Sequence, residues 1–377
     1  MESLLKFGHG FSKLSLNTGR GIWQGFNAMA SNNKSPKFSK KIGTHNGMFH
    51  CDEALACFML KLLPDYRDAD IIRSRDLKIL EDCDIVVDVG ATFDPKRHRY
   101  DHHQRGFNET LNSVRPDLAQ NKFNIIRLSS AGLIYSQFGL EILAEIIKLN
   151  KKIPTPDILE ALFIYVYEYF VEELDAMDNG IPMYSEGQPR YKINTHLGAR
   201  VHRLNPSWND PNPEDEEVLF QKAMKLVGQE FVEVVLDGFN VWWPAREIVK
   251  KSIESRKEVH KSGQIMVLND RCSWKNHLYS IEEELKIEGE LKFCLFHDEN
   301  SDTWRIQAIP IQPNSFVCRV FLHKNWRGVR DEELSKVANI KDCIFCHASG
   351  FIGGNKTKEG ALDMALRSLQ AAQIDKD

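Results

Sequence analysis

The sequence predicts an α/β protein of two domains, a parallel-sheet domain followed by a second, smaller α/β domain, with a helical connector between them. Three observations carry this expectation. The chain has 377 residues, which suits two domains at about 100 to 200 residues each. Residues 41–89 alternate strand-like and helix-like runs, the signature of parallel strands linked by crossover helices. After Gly263 the pattern changes to short strands accompanied by two helical stretches.

Residues 41–45 read as a short strand. The stretch 52–63 has helical spacing at Leu55, Phe58, Met59 and Leu62 and stops at Pro64, which lacks the amide hydrogen a continuing helix needs. A strand follows at 69–73, then the buried-strand run "DIVVDVG" at 84–90. Ligands of parallel sheets gather beyond the C-terminal ends of the strands, so chemistry is expected there. Helical patterns occupy 130–149 and 156–175, the second with Pro156 in its first turn. Residues 184–213 carry prolines at 189, 206, 211 and 213 without a sustained period, and read as a long excursion over the surface. Helical periodicity returns at 214–256, broken at Gly238 and at Trp242 to Pro244. In the second domain strands are expected at 264–268, 291–297, 304–309 and 316–321, and helices at 331–337 and 357–370. The expected limits are therefore a tail at 1–41, a catalytic domain at 42–213, a connector at 214–262 and a C-terminal domain at 263–377.

Apolar residues make up 42% and charged residues 27% of the chain, close to globular averages, which excludes wholesale disorder. No run of 18 uncharged apolar residues occurs. The best candidate, 158–171, is interrupted by Glu160 and Glu168, so a soluble chain with no membrane partner is expected. Of the 49 Lys and Arg, seven fall in residues 1–41 (Lys6, Lys13, Arg20, Lys34, Lys37, Lys40, Lys41) beside a single acid, Glu2. The remainder is acidic and does not attract phosphate by bulk charge. A nucleic-acid substrate must then be held by a local patch or by bound metal. The basic, acid-poor tail has the profile of a mitochondrial transit peptide, and initiation at Met29 would give a shorter form without it. The eight cysteines, in a chain without a secretory signal, are expected to be reduced and mostly buried. Cys343, Cys346 and His347 spell the haem c attachment pattern, but the run 343–348 is apolar and strand-like, with no axial ligand suggested, and haem is set aside.

The chemistry is carried by four clusters. "GTHNGMFHCDEA" places His45, His50 and Asp52 just after the first strand, with Gly43 and Gly47 permitting a tight turn. Asp88 ends the strand run at 84–90. "RYDHHQ" adds Asp101, His102 and His103, and "ELDAMDNG" adds Asp175 and Asp178. Any single one of these has an ordinary explanation; Asp52, for instance, stands where an N-cap would. Together, at the ends of strands and helices, they are too costly to bury unpaired and read as a metal site. Mixed imidazole and carboxylate donors suit Mn²⁺ first, with Mg²⁺, Zn²⁺, Co²⁺ or Fe²⁺ as alternatives, and six ligands suffice for two ions. Two ions about 3.5 to 4 Å apart activate a shared hydroxide and offset charge on a phosphoryl group, so hydrolysis of a phosphate ester or anhydride is expected.

This order of motifs resembles the DHH phosphoesterase superfamily. The spellings "GTHNGMFHCDEALA", "DHHQRGF", "ELDAMDNGI", "NWRGVRDEEL" and "CHASGFIGGNKTKEGALDMA" look more narrowly like the melanocyte proliferating gene 1 family of exonucleases, over residues 40–375. The resemblance implies a DHH-type catalytic domain, a substrate-binding C-terminal domain and two divalent ions. It also implies 3′-to-5′ hydrolysis of single-stranded RNA in mitochondria and nucleus, with no obligate protein partner. By position, His45, His50 and Asp52 resemble the first metal-binding motif, although His50 stands one residue further along than the aspartate many superfamily members have there. Asp88 resembles the bridging ligand and His102 a ligand of the third motif. His103 resembles the residue that faces substrate phosphate, oriented by Asp101. Asp175 resembles the fourth-motif ligand, with Asp178 as its rival.

In the C-terminal domain, Gly350, Gly353 and Gly354 followed by Lys356 read as a loop opening the last helix, where amide groups favour an anion. Arg327, His347 and Lys356 would add charge, and the rival reading is a plain turn. Trp304, Trp326 and Phe351 are candidates for stacking on bases, against the commoner role of core packing. Two other functions stay open: hydrolysis of pyrophosphate or a small nucleotide, and a non-catalytic RNA-binding adaptor, which intact ligand motifs oppose.

Overall fold

The computed structural model describes residues 39–374 apart from Gln120, Gln188 and Asn314. The expected transit peptide up to residue 38, including Met29, lies outside the described residues. The chain divides into two units after Asn240.

In the first unit, β1 (Lys41–Thr44) is followed by helix α1 (Cys51–Leu62), β2 (Asp70–Arg73), a short helix α2 (Leu77–Glu81) and β3 (Ile85–Val87). Then come β4 (Phe93–Asp94) and β5 (Arg99–Tyr100). The sheet order is β2-β1-β3-β5-β4, and every pair is parallel except β4 with β5. The strand order reverses at β1, with β2 on one side and β3 on the other, and the C-terminal ends of β1, β3 and β5 open at the same edge. Sheets of this kind bind ligands at such a point.

Helix α1 explains itself by composition. "CDEALACFMLKL" is apolar nearly all round, and only Lys61 is not fully buried. It packs against α5 (Ser130–Leu149) and α9 (Glu216–Asp237). Between them in the chain lie the short helices α3 (Leu111–Val114) and α4 (Pro116–Ala119), then α6 (Pro156–Val166), α7 (Glu172–Asp178) and α8 (Leu197–His202). α5 is long and apolar enough to span a bilayer by length and composition alone, yet most of it is buried in this unit, packed on α1 and α6. α6 does not stop at Asp175: it widens into a π turn at Tyr167–Val171 and continues as α7 to Asp178. The surface excursion at 184–213 contains α8.

A π turn at Gly238–Trp242 spans the division and leads into α10 (Trp243–Glu254), started by Pro244, and α11 (Arg256–Val259) of the second unit. Its sheet runs β6-β7-β8-β10-β9, formed by β6 (Ile265–Leu268), β7 (Phe293–Asp298), β8 (Thr303–Ala308), β9 (Cys343–Cys346) and β10 (Ile352–Asn355). Alternate residues feed two cores, as strand geometry requires. Ile265, Val267, Ile306 and Ala308 meet α14 (Lys358–Ile374) and α13 (Asp331–Ala338), while Met266, Leu268 and Cys294 meet α10 and α12 (Lys275–Leu285).

Several expectations change. The stretch read as one connector is shared out, α9 packing on α1 in the first unit and α10 on β6 in the second. The strand expected at 316–321 is absent among the described residues beyond an isolated bridge, Pro310 with Cys318. Its place beside β8 is taken by β10, the glycine-containing stretch read as a loop. All eight cysteines are free and seven are buried; Cys272 is the partly exposed one.

Gly228 of α9 lies directly over the buried ring of Phe58 on α1, and a Cβ there would collide with it. Gly228→Ala should therefore lose about 1 to 3 kcal/mol from overpacking, outweighing the gain of up to about 1 kcal/mol in helix propensity. Denaturant unfolding checks this. Adding Phe58→Leu should recover part of the loss, so the double variant is less destabilised than the sum of the two single changes.

Candidate metal centre

Beyond β1 the chain turns at Gly47, whose φ of +85° only glycine adopts without strain, and enters α1 with His50 as N-cap. The His50 amide donates to Glu53 Oε1 at 2.7 Å. This turn leaves His45 buried, its Nε2 3.1 Å from Glu53 Oε1 and 3.3 Å from Asp88 Oδ2. Two arginines from the end of β2 and just beyond it hold the turn. Arg73, buried between the rings of Phe220 and Phe49, donates to the carbonyls of Gly47 at 2.6 Å and His45 at 3.2 Å. Arg75 Nη2 lies 3.3 Å from His45 Nδ1.

Asp88 follows β3 in the left-handed region, φ +59°, a strained conformation for a residue with a Cβ. Its amide donates to the Tyr100 carbonyl at 3.1 Å, and its Oδ1 accepts from Ser130 Oγ at 3.2 Å. His102, just past β5, places Nε2 3.0 Å from Asp178 Oδ2 and 3.4 Å from Asp88 Oδ1, near enough to pair with both although aligned for a hydrogen bond with neither. His103 is largely exposed, with Nδ1 2.8 Å from Asp101 Oδ1. Asp101 also accepts from the amides of Ala91 and His103, so it fixes the direction of that imidazole.

The donor atoms form three overlapping groups: His45, His50, Glu53 and Asp88; Asp88, Asp101, His102 and His103; and Asp52, His102 and Asp178. Within each, all lie within 4.8 Å of one another. Asp88 joins the first two and His102 the last two. Both carboxylate oxygens of Asp52 and Oε2 of Glu53 are buried with no hydrogen-bond partner among the described residues. Leaving such groups bare costs several kcal/mol by order of magnitude, and an imidazole and carboxylate donor set fits divalent cations of the Mn²⁺ to Zn²⁺ range.

The titration behaviour shows the same excess of negative charge. Burial, with Asp88 and Asp178 close by, pushes the Asp52 carboxyl well above its ordinary range. Burial alone would lower His45, but contacts with Asp88 and Glu53 outweigh it and carry it to about 10. His102 reaches about 10 through Asp178 and Asp88, again against burial. Asp88 is held low by His102 and His45 despite a burial that would raise it. His103 is raised by Asp101. The protons these groups hold carry positive charge where a cation would carry it, so binding an ion would release them.

Of the residues singled out in the sequence, His45, Asp52, Asp88, Asp101, His102 and His103 are brought together, with His50 at the exposed edge. Asp175 is not in this set. It is fully buried beside α5, where its carboxylate accepts from the Ser129 amide at 2.9 Å, Ser129 Oγ at 2.7 Å and Tyr167 Oη at 3.0 Å, leaving Asp178 to face His102. A Cβ at Gly132 would collide with the Asp175 carboxylate, so the glycine is what lets it reach Ser129. Glu53 belongs to the cluster and was missed, because as the third residue of a helix it reads as half of a capping box.

The expected substrate loop of the second unit is divided. Gly353 and Gly354 lie within β10, packed against Leu322 and Phe345 and against Arg305 and Phe345 respectively. His347, Arg327 and Gly350 gather at the turn between β9 and β10, where Gly350 has φ +74° with Arg327 against it and His347 Nδ1 pairs with Ser349 Oγ at 2.8 Å. Lys356 is at the other end of the hairpin, its amide donating to the Asp342 carbonyl at 3.0 Å. Trp326 is core, while Trp304 and Phe351 are partly buried against the same core.

Two outcomes follow from the site. Asp52→Asn should be more stable than the parent in chelator at pH 7, by about 1 to 3 kcal/mol, because a carboxyl whose ionisation is suppressed by burial and by neighbouring carboxylates is replaced by a group that has none to suppress. Excess Mn²⁺ should stabilise the parent, by about 2.7 kcal/mol at a hundredfold excess over Kd, and the variant much less. Denaturant unfolding with and without metal measures both. For Asp175, burial outweighs the Ser129 and Tyr167 hydrogen bonds and pushes the carboxyl up to about 7 from 3.8. Its stabilising contribution is whole below about pH 4 and is lost as pH rises through 7. Asp175→Asn should therefore gain stability relative to the parent between pH 5 and pH 8, as seen in the pH dependence of the unfolding midpoint.

Comparison with known proteins supplies the family. The family described as "Uncharacterised protein family (UPF0160)", labelled MYG1 exonuclease, matches residues 41–369. The chain is 49% identical over 330 residues to "MYG1 exonuclease" of Homo sapiens, covering 87% of this chain and 85% of that protein. It is equally 49% identical over 330 residues to "MYG1 exonuclease" of Bos taurus, covering 87% and 84%. "MYG1 protein" of Dictyostelium discoideum is 45% identical over 332 residues, covering 87% and 96%. A family match over most of the length, with relatives this similar on both chains, makes the protein a member of the MYG1 family.

Proposed function

We propose that this chain is a divalent-metal-dependent phosphodiesterase that removes nucleotides from the 3′ end of single-stranded RNA, in mitochondria and nucleus. The observation that carries the reading is Asp52: a carboxylate 1% exposed, both oxygens without a partner, in reach of His102 and Asp178. A protein keeps such a group where a cation completes it. Mammalian relatives bear the name exonuclease, which gives the class of bond broken.

His45, Glu53 and Asp88, with His50 at the open side, would hold one ion; Asp52, His102, Asp178 and Asp88 would hold the other. When bound, such ions acidify water and neutralise charge developing at phosphorus. His103 presents Nε2 at the mouth, its other nitrogen fixed by Asp101, and donates to a non-bridging phosphate oxygen. Asp175 acts through Ser129 by seating the start of α5, where Ser130 touches Asp88. Arg327, His347 and Gly350 of the second unit are the groups proposed to hold substrate phosphate.

The test is cleavage of a 5′-labelled single-stranded RNA by the full chain with Mn²⁺. The expected product is a ladder shortening from the 3′ end. Asp88→Ala should lower kcat/KM by at least about 1,000-fold, and His103→Ala by about 100- to 1,000-fold. Intact RNA beside cleaved pyrophosphate or dinucleotide would move the substrate to that class, and no cleavage with any divalent ion would make the protein a binding adaptor. A reporter fused to residues 1–41 that stayed in the cytosol would overturn the mitochondrial address.

A further inference from the structure

The excursion between α7 and α9 is the part of the first unit that the metal chemistry does not use, and its composition is unlike the rest of an acidic chain. From Gly187 to Asn209 it contains Arg190, Lys192, Arg200 and Arg203 and no Asp or Glu. Two aromatic rings in this stretch are left in solvent, Tyr191 at 74% and Trp208 at 97% exposed, and a third, Tyr184 at 56%, stands just before it on the far side of Glu186. Among the described residues no carboxylate pairs with Arg190 or Lys192, whereas Arg200 is held by Glu230 at 2.8 Å and Arg203 donates to the Asn194 carbonyl at 2.9 Å, closing the segment on itself.

The segment is tied to the candidate metal centre at both ends. It begins at Tyr184, six residues after Asp178, and Gly198 of α8 packs against Met177, the residue before Asp178. On its return Asn205 clasps the backbone of Phe49, next to His50: the Phe49 amide donates to Oδ1 and Nδ2 donates to the Phe49 carbonyl, each at 2.9 Å. Cations without acidic partners, exposed aromatic rings and attachment to both flanks of a phosphodiester-hydrolysing site meet in one stretch.

We propose that residues 184–208 form a binding strip for single-stranded nucleic acid. Arg190 and Lys192 contact phosphates, Tyr184, Tyr191 and Trp208 stack on bases, and the strand is led to the metal centre. Stacking requires unpaired bases, which selects a single strand over a duplex, and it is tolerant of sequence because every base has a face to offer. The proposal rests on the phosphodiesterase reading for its purpose, but binding can be measured apart from cleavage.

The experiment is fluorescence anisotropy of a 5′-fluorescein 20-mer of single-stranded RNA with the full chain, in EDTA to stop turnover, over a series of salt concentrations. Tyr191→Ala with Trp208→Ala should weaken binding about tenfold or more, leaving the salt dependence unchanged. Arg190→Ala with Lys192→Ala should weaken it and lower the slope of log K against log salt by about 1.4, the loss of two phosphate contacts on a single strand. All four residues are exposed, so unfolding midpoints should not move, and hydrolysis of bis(p-nitrophenyl) phosphate with Mn²⁺ should keep its rate. Variants that bind RNA within twofold of the parent would overturn the strip, as would a parent that does not bind RNA or variants that lose the small-ester activity in parallel. Binding that depends on the strip in a protein that cleaves no RNA would leave the strip standing and remove the exonuclease.

Discussion

Five carboxylates, Asp52, Glu53, Asp88, Asp101 and Asp178, converge at the end of the first unit's sheet, with four imidazoles between them and the Arg75 guanidinium against one of these. Like charges a few ångströms apart in a poorly solvated site repel strongly, and the arrangement persists because everything around it is built to hold it. α1 is sunk among other helices so that its first turn presents Asp52 and Glu53 inward. Arg73, itself buried between two rings, fixes the carbonyls of the turn that carries His45. Asp175 spends its carboxylate on the start of α5 and not on the cluster. The unit is a scaffold for an electrostatically unfavourable arrangement that a bound cation would relieve.

Asp88 concentrates this constraint. It belongs to two of the three donor groups and holds a left-handed backbone that costs of order 1 to 3 kcal/mol in a non-glycine residue. The amide bond to Tyr100 and the Ser130 hydroxyl secure it, so neighbouring β5 and the first turn of α5 both bear on one carboxylate. Glycine would relieve the strain and remove the group that needs it.

Much of the first unit was legible because its signals are periodic. α5 occupies Ser130–Leu149, the span expected for it, and the strand ends bearing His45 and Asp88 followed from apolar runs closing on polar residues. Glu53 was hidden because a helix cap and a cluster member look alike in sequence. The choice between Asp175 and its rival Asp178 stayed open because the helix before them widens at Tyr167–Val171, which no local residue preference announces. In the second unit, two consecutive glycines read as a loop; they are strand residues because Leu322, Phe345 and Arg305 press on the backbone and leave no room for a Cβ. The apolar run at 316–321 lost its place in the sheet to that pair, and Phe316, 96% exposed, shows how little apolar content alone decides.

The widened turn also sets the angular phase of everything after it. A single extra residue in a helical turn rotates the remainder by about 100° about the axis. Closing the turn between Tyr167 and Val171 as regular helix at its present length would swing Asp178 away from His102, whereas deleting one residue there would remove the widening and keep Asp178 near its present facing. The spacing of that turn is therefore a digital setting, unlike a side chain that can be adjusted by degrees. Whether that turn closes as a wide or a regular one matters more to the cluster than most changes of residue type there.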